Sequence, residues 1–269
     1  MKGIRLVSRF LIAGLLATAS AGYAEKPEPT ARPGTTAHPG EAEAKAEALE
    51  LLEETSNFLA KQKTFRMKAE NSYDVMQRRG LRLEFGGESE VLLRRPDRLR
   101  IERRDREGAK RTFRYDGESV SLLFEEENAY VQVEHRGTVE SMLDYVVDEL
   151  HMPMPLSDLL DANFYADVAD RVRFAAIVGE SRIDDQLCTH AVYRAKELDF
   201  QIWVAADDEP LPCRIVITYR DRPGEPQFRA RFLEWKLGVW ARDKAFVFDP
   251  PDDAERLATG DFARKEGDE

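Results

Sequence analysis

The chain has 269 residues and a formal net charge of −11, with 51 acidic against 40 basic side chains. Acidity of that size argues against a nucleic-acid partner, whose phosphate backbone is bound by clustered Lys and Arg that release counterions. Only four histidines are present, and there is no G-x-S-x-G elbow, H-E-x-x-H pair or phosphate-cradling glycine loop, so no catalytic constellation stands out.

The chain opens on a basic start, Lys2, Arg5 and Arg9, followed by an apolar run from Phe10 to Ala19 and then small residues. About ten apolar residues are too few for a ~30 Å hydrocarbon core, so residues 1–24 read as a secretion signal. Cleavage after Gly22-Tyr23-Ala24 is preferred to cleavage after Ala19-Ser20-Ala21; an uncleaved anchor is the alternative reading. No lipid-attachment cysteine ends the signal. Removing its three cations shifts the net charge from −11 to −14. Residues 25–40 carry four prolines and two glycines with no hydrophobic period, the composition of a disordered leader. Nothing after the signal is apolar enough to span a membrane.

From Glu41 to Lys61 the sequence becomes rich in Ala, Glu and Leu, and Leu51, Leu52, Thr55, Phe58 and Leu59 recur at helical spacing. A long β region follows. Phe65, Met67 and Ala69 alternate with polar residues, as do Leu81, Leu83 and Phe85, and Gly86-Gly87 predicts a bulge or a sharp bend. Leu93, Leu99 and Ile101 share one parity, whereas Arg94, Arg98, Arg100 and Arg104 share the other. Phe113 and Tyr115 lead into the hairpin signal Asp116-Gly117, after which Val120, Leu122 and Phe124 return. Such alternation predicts sheets with one wet and one buried face.

Thr138 then stands as an N-cap before the apolar stripe Val139, Met142, Leu143, Val146, Val147 and Leu150. The linker His151-Met152-Pro153-Met154-Pro155 leads to a second short helix starting near Leu156 or Ser157. After Phe164 and Tyr165 the chain returns to strands over 172–183, 187–195, 198–205, 212–220 and 226–236. No helix regularly separates successive strands, so the class is α+β with a mostly antiparallel sheet. One domain over 41–262, with a charged tail over 263–269, accounts for the length.

Cys188 and Cys213 form a candidate disulfide, worth roughly 3 kcal/mol in the chain-entropy model; two buried thiols are the alternative. If one strand of a meander lies between them, they sit two strands apart, beyond ordinary bridging distance unless the sheet bends.

Several motifs in order carry a resemblance. Arg95-Pro96-Asp97-Arg98-Leu99-Arg100, Tyr115-Asp116-Gly117, Pro155-Leu156-Ser157-Asp158-Leu159-Leu160, Val178-Gly179-Glu180 and Cys188-Thr189-His190 are followed by Phe200-Gln201-Ile202-Trp203, Pro210-Leu211-Pro212, Ile215-Val216-Ile217-Thr218-Tyr219 and Phe248-Asp249-Pro250-Pro251. Together they resemble the predicted periplasmic proteins of domain of unknown function 2092, over residues 45–262. The resemblance implies the LolA/LolB-like fold: an incomplete antiparallel β-barrel, a half-barrel with an N-terminal helix and a central helical plug, enclosing an apolar cavity. It also implies a periplasmic, non-catalytic protein that binds a lipid or a lipoprotein acyl chain. The alternative is a sensor or adaptor that meets an envelope protein without a ligand.

The arginine strand holds seven arginines between Arg94 and Arg106. They suit either phosphate or carboxylate recognition, or cross-strand pairing with Glu84, Glu88 and Glu90 on a solvated face. The segment from Val139 to Phe164 reads either as a methionine-rich lid or as ordinary packing of helices on a sheet. On the lid reading, Met142, Val146, Leu150, Met152, Met154, Leu156 and Leu160 face a cavity whose sheet wall holds Leu99, Ile101, Phe113 and Tyr115. His151 with Met152 and Met154 is a thin donor set for copper and has no second cluster, so neither metal nor cofactor is assigned.

Overall fold

The computed structural model describes residues 39–259; the expected signal, nearly all of the leader and the tail lie outside the described residues. Helix α1 (Pro39–Lys61) buries Ala48, Leu52, Thr55, Ser56 and Leu59 along one stripe. Glu41 in its first turn and Lys61 in its last oppose the helix dipole. Two polar contacts dock the helix: Tyr193 Oη donates to the Ala48 carbonyl at 2.6 Å, and Lys45 Nζ donates to the Val172 carbonyl at 2.6 Å.

Six strands follow: β1 (Thr64–Met76), β2 (Arg82–Arg94), β3 (Arg98–Asp105), β4 (Lys110–Tyr115), β5 (Ser119–Phe124) and β6 (Ala129–Glu134). Three helices interrupt them, α2 (Val139–Asp148), α3 (Ser157–Leu160) and α4 (Phe164–Ala169). Strands β7 (Phe174–Ile183), β8 (Gln186–Arg194), β9 (Leu198–Ala205), β10 (Pro212–Tyr219) and β11 (Gln227–Leu237) come next, and β12 (Glu255–Arg256) ends the series.

All twelve strands belong to one open sheet, in the order β12-β6-β5-β4-β3-β2-β1-β11-β10-β9-β8-β7. Every neighbouring pair is antiparallel except β12 with β6. The central seam joins β1 to β11, so Phe65 lies opposite Leu237 and Tyr73 opposite Phe228. One face of the sheet carries the core: residues of β1 to β11 and all four helices form a single hydrophobic cluster. The class is therefore α+β, with a sheet that stays open.

The turn chemistry works as expected in two places. The Asp116 carboxylate accepts from the backbone N–H of Glu118 and Ser119 at 3.0 and 2.8 Å, while Gly117 supplies φ 86°. Thr138 caps α2 by accepting from the Ser141 N–H at 3.4 Å.

Two expectations change. Gly86 and Gly87 do not mark a bulge: they stand in unbroken register opposite Ser72 and Asn71. Their role is close approach, because a Cβ on Gly87 would meet the Arg104 carbonyl oxygen and sit 2.8 Å from the Asp105 Cα. The second change is α4, which falls in the stretch before residue 172 to which the sequence assigns no element. Phe164 and Val168, four apart and both buried, give it an apolar face too short to be read as periodic.

Candidate ligand site

Core-facing positions of the central strands can be read by parity. Met67, Ala69 and Asn71 on β1 share a face with Ser89 and Val91 on β2, Ile101 and Arg103 on β3, and Arg111 and Phe113 on β4. Over this face lies the stretch Met152–Ser157, fixed at its far end by α3. Between them is a cavity of about 110 Å³, whose remaining lining comes from Leu122, Leu160 and Phe228. Met152 and Met154 are each only 7% exposed, so their side chains roof the space rather than face water.

Six of the eleven expected wall and lid residues meet at this cavity: Ile101, Phe113, Met152, Met154, Leu156 and Leu160. The other five do not line it. Met142 and Val146 are fully buried in the α2 packing surface, and Leu99 and Tyr115 are fully buried at the sheet end nearest α2; Leu150 packs in the same core. Tyr115 Oη donates to the Gly137 carbonyl at 2.7 Å, and burial pushes its phenol up to about 12.

The cavity wall has a polar quarter that the sequence reading missed. Asn71 is nearly fully buried; its amide donates to Ser89 Oγ at 2.9 Å, and its buried carbonyl oxygen Oδ1 has no hydrogen-bond partner. Beside it Arg103 bonds Asp105 at 2.7 Å and lies over the Tyr73 ring at 5.5 Å, while Arg111 Nη2 lies 4.0 Å from the same carboxylate. The signal was available: Arg103 has the odd parity of Leu99 and Ile101. The even-numbered arginines, whose regular spacing is the more conspicuous, lie on the opposite face. There Arg100 reaches Glu90 and Glu102 at 3.7 and 3.2 Å, Arg98 pairs with Asp97 at 3.0 Å, and Arg94 bonds Asp243. That face is an ion-paired surface.

The roof is held from below by Arg95, at the β2–β3 corner. Its guanidinium donates to Glu140 of α2 at 2.5 Å and to the Leu160 carbonyl of α3 at 2.9 Å. Desolvation lowers its affinity for a proton, and the Glu140 and Asp161 charges work against that shift. A single, largely buried cation thus ties α2 and α3 to the sheet.

Histidine and cysteine chemistry lies elsewhere. His190 stacks on Trp203 with centroids 4.0 Å apart and planes 7° apart, and shares a 3.0 Å hydrogen bond with Gln201. Burial, with help from the Arg214 charge, pushes its pKa down although the Gln201 bond opposes this. Cys188 and Cys213 are joined in a disulfide with Cα atoms 6.9 Å apart. They are two strands apart; the register of β10 slips between Pro212 and Arg214, leaving Cys213 as an extra residue that can reach across the end of β9. Among the described residues no group of three His, Cys, Asp or Glu could hold a metal, and no helix is long and apolar enough to cross a membrane.

Comparison with solved structures finds remote likenesses. Lipoprotein LppX of Mycobacterium tuberculosis is 11% identical, with 71% of this chain and 95% of that one covered and a TM-score of 0.45. MucB, in its complex with MucA from Pseudomonas aeruginosa, is 14% identical over 76% of this chain and 61% of that one, at a TM-score of 0.43. A LolA superfamily protein from Nitrosomonas europaea is 13% identical, with 75% and 97% covered and a TM-score of 0.38. No curated protein matches the chain. A family model does match, over residues 48–259, and its description is "Predicted periplasmic protein". The chain belongs to that family, DUF2092.

Proposed function

We propose that this protein is a non-catalytic periplasmic carrier, in which the open sheet acts as an incomplete barrel, the helices act as its plug, and a hydrophobic ligand occupies the space beneath Met152–Leu156. The observation that supports this most is the cavity itself: about 110 Å³ with a largely apolar lining, under a segment of two methionines and two prolines. A space of that order matches the ~150 Å³ cavity that admits a benzene-sized guest, so it accepts the end of one acyl chain as it stands. A longer chain requires the methionine segment to lift. Each buried methylene then contributes about 0.8 kcal/mol, and flexible thioether side chains can repack around the guest. Arg103 and Arg111 would meet the polar end of such a ligand.

Native mass spectrometry of gently purified protein tests the reading. The expected result is a co-purified lipid or acyl species near one per chain, lost in the variant M152D/M154D while the circular dichroism of the sheet persists. A ligand-free wild type, or an adduct that survives in the variant, overturns it. A second reading, an adaptor for an envelope protein, draws on the open edge strand β7, where Phe174 and Val178 are 48% and 59% exposed. Recovery of an empty chain with a stoichiometric protein partner would favour that reading.

A further inference from the structure

Strands β1 and β2 are longer than their neighbours. The pairing of β11 with β1 stops at Tyr73, and that of β3 with β2 stops at Gly87, but β1 and β2 continue together to Met76 and Arg82. The hairpin from Asp74 to Gly86 therefore projects past the sheet, braced at one side by the turn after β10, where Arg82 donates to the Gly224 carbonyl at 2.6 Å. Its core-facing side continues the wall of the cavity outward: Tyr73 stacks on Phe85, Val75 lies opposite Leu83, and Leu81 follows. Leu81 and Leu83 are 59% and 37% exposed.

The tip is also the reverse of the molecule in charge. In a chain with a net charge of −11, the sequence Gln77-Arg78-Arg79-Gly80-Leu81-Arg82 carries three cations and no anion. The acids at the hairpin base are occupied, Asp74 by Arg229 at 3.0 Å and Arg82 at 3.5 Å, and Glu84 by Arg106 at 3.0 Å and Arg229 at 3.8 Å. Arg79 moreover holds φ 72°, a left-handed conformation that Gly or Asn adopts at less cost. A charge is kept where the backbone would be served better by a neutral residue.

We infer that this projecting hairpin docks the protein on an anionic phospholipid surface, with Arg78 and Arg79 among the headgroups and Leu81 and Leu83 in the interface. Exposed leucines beside arginines are the composition that an interfacial element needs, and attraction to acidic lipid adds to the burial of the apolar side chains. The inference stands apart from the carrier reading, since an empty cavity would leave the tip unchanged.

Co-sedimentation of the full protein with phosphatidylcholine vesicles, with and without phosphatidylglycerol, is the test. Binding is expected only where phosphatidylglycerol is present, and it should weaken as salt rises. Each basic side chain near such a surface is worth about fivefold in affinity, so R78Q/R79N should bind about thirtyfold more weakly. Its melting temperature should be unchanged or higher, because Asn relieves the strained position. L81S/L83S should weaken binding too, and hydrogen exchange of the wild type on vesicles should slow over residues 74–86. Equal binding to neutral vesicles, undiminished binding by R78Q/R79N, or protection elsewhere in the chain overturns the inference. So does binding to native membranes but not to the synthetic vesicles, which would point to a protein receptor.

Discussion

The insert between β6 and β7 covers two parts of the core face, and it fits them differently. Toward β1 to β5, the Met152–Ser157 stretch leaves a cavity of about 110 Å³. Toward β9 and β10, Pro155, Leu156 and Leu159 meet Phe200, Ile202, Ile215 and Ile217 and leave only about 20 Å³, room for little more than one water. The tight side is also the cross-linked side, with the disulfide between β8 and β10 and Tyr193 hydrogen-bonded to α1. The loose side is held by ion pairs and one arginine. One sheet thus has a stiff flank, closely packed and cross-linked, and a yielding flank with space left inside it.

Breaking the stiff flank should cost most. Replacing both cysteines, C188S/C213S, frees a loop with a sequence separation of 25, which corresponds to about 3.5 kcal/mol of lost stability. Urea denaturation of wild type and variant measures it, and any lipid that co-purifies with the wild type should also co-purify with the variant. On the yielding flank, Arg95→Met removes charge-assisted bonds to Glu140 and Leu160 and should cost about 2–3 kcal/mol. Its signature is local: amide exchange should rise over α2 and α3 and stay unchanged over β8 to β10. Gly87→Ala pushes a methyl group against the β3 backbone and should cost about 1–3 kcal/mol, read as a lower thermal midpoint. Smallest of all is Arg100→Gln on the outer face, where the pairs with Glu90 and Glu102 are half exposed; under about 1 kcal/mol is expected. A larger loss there would mean that the outer ion pairs brace the sheet.

Local patterns were legible in the sequence and long-range ones were not. Alternation along Phe65, Met67 and Ala69 reads directly as a buried face, and Thr138 marks the start of α2, because both depend on neighbours in sequence. The seam between β1 and β11 leaves no such trace, since nothing near Phe65 names Leu237 as its partner. For the site, the methionine segment was found because its composition is unusual. Arg103 and Asn71 carry no such mark, since a polar residue at a core-facing parity looks like an error in the pattern until the cavity beside it is seen. The sequence leaves the disulfide open for a similar reason: a two-strand separation argues against it, and the slip in register at Cys213 that removes the objection cannot be read from spacing.

The β1–β11 seam also constrains the order of events in the life of the chain. Its two strands come from opposite ends of the described residues, so neither flank of the sheet has its central partner until the last strands have emerged. Pairing at such separation is slow, because the intervening loop must close before any contact rewards it. A chain cut short before β11 would therefore keep β1 as an open edge, and completion of the sheet is a late event.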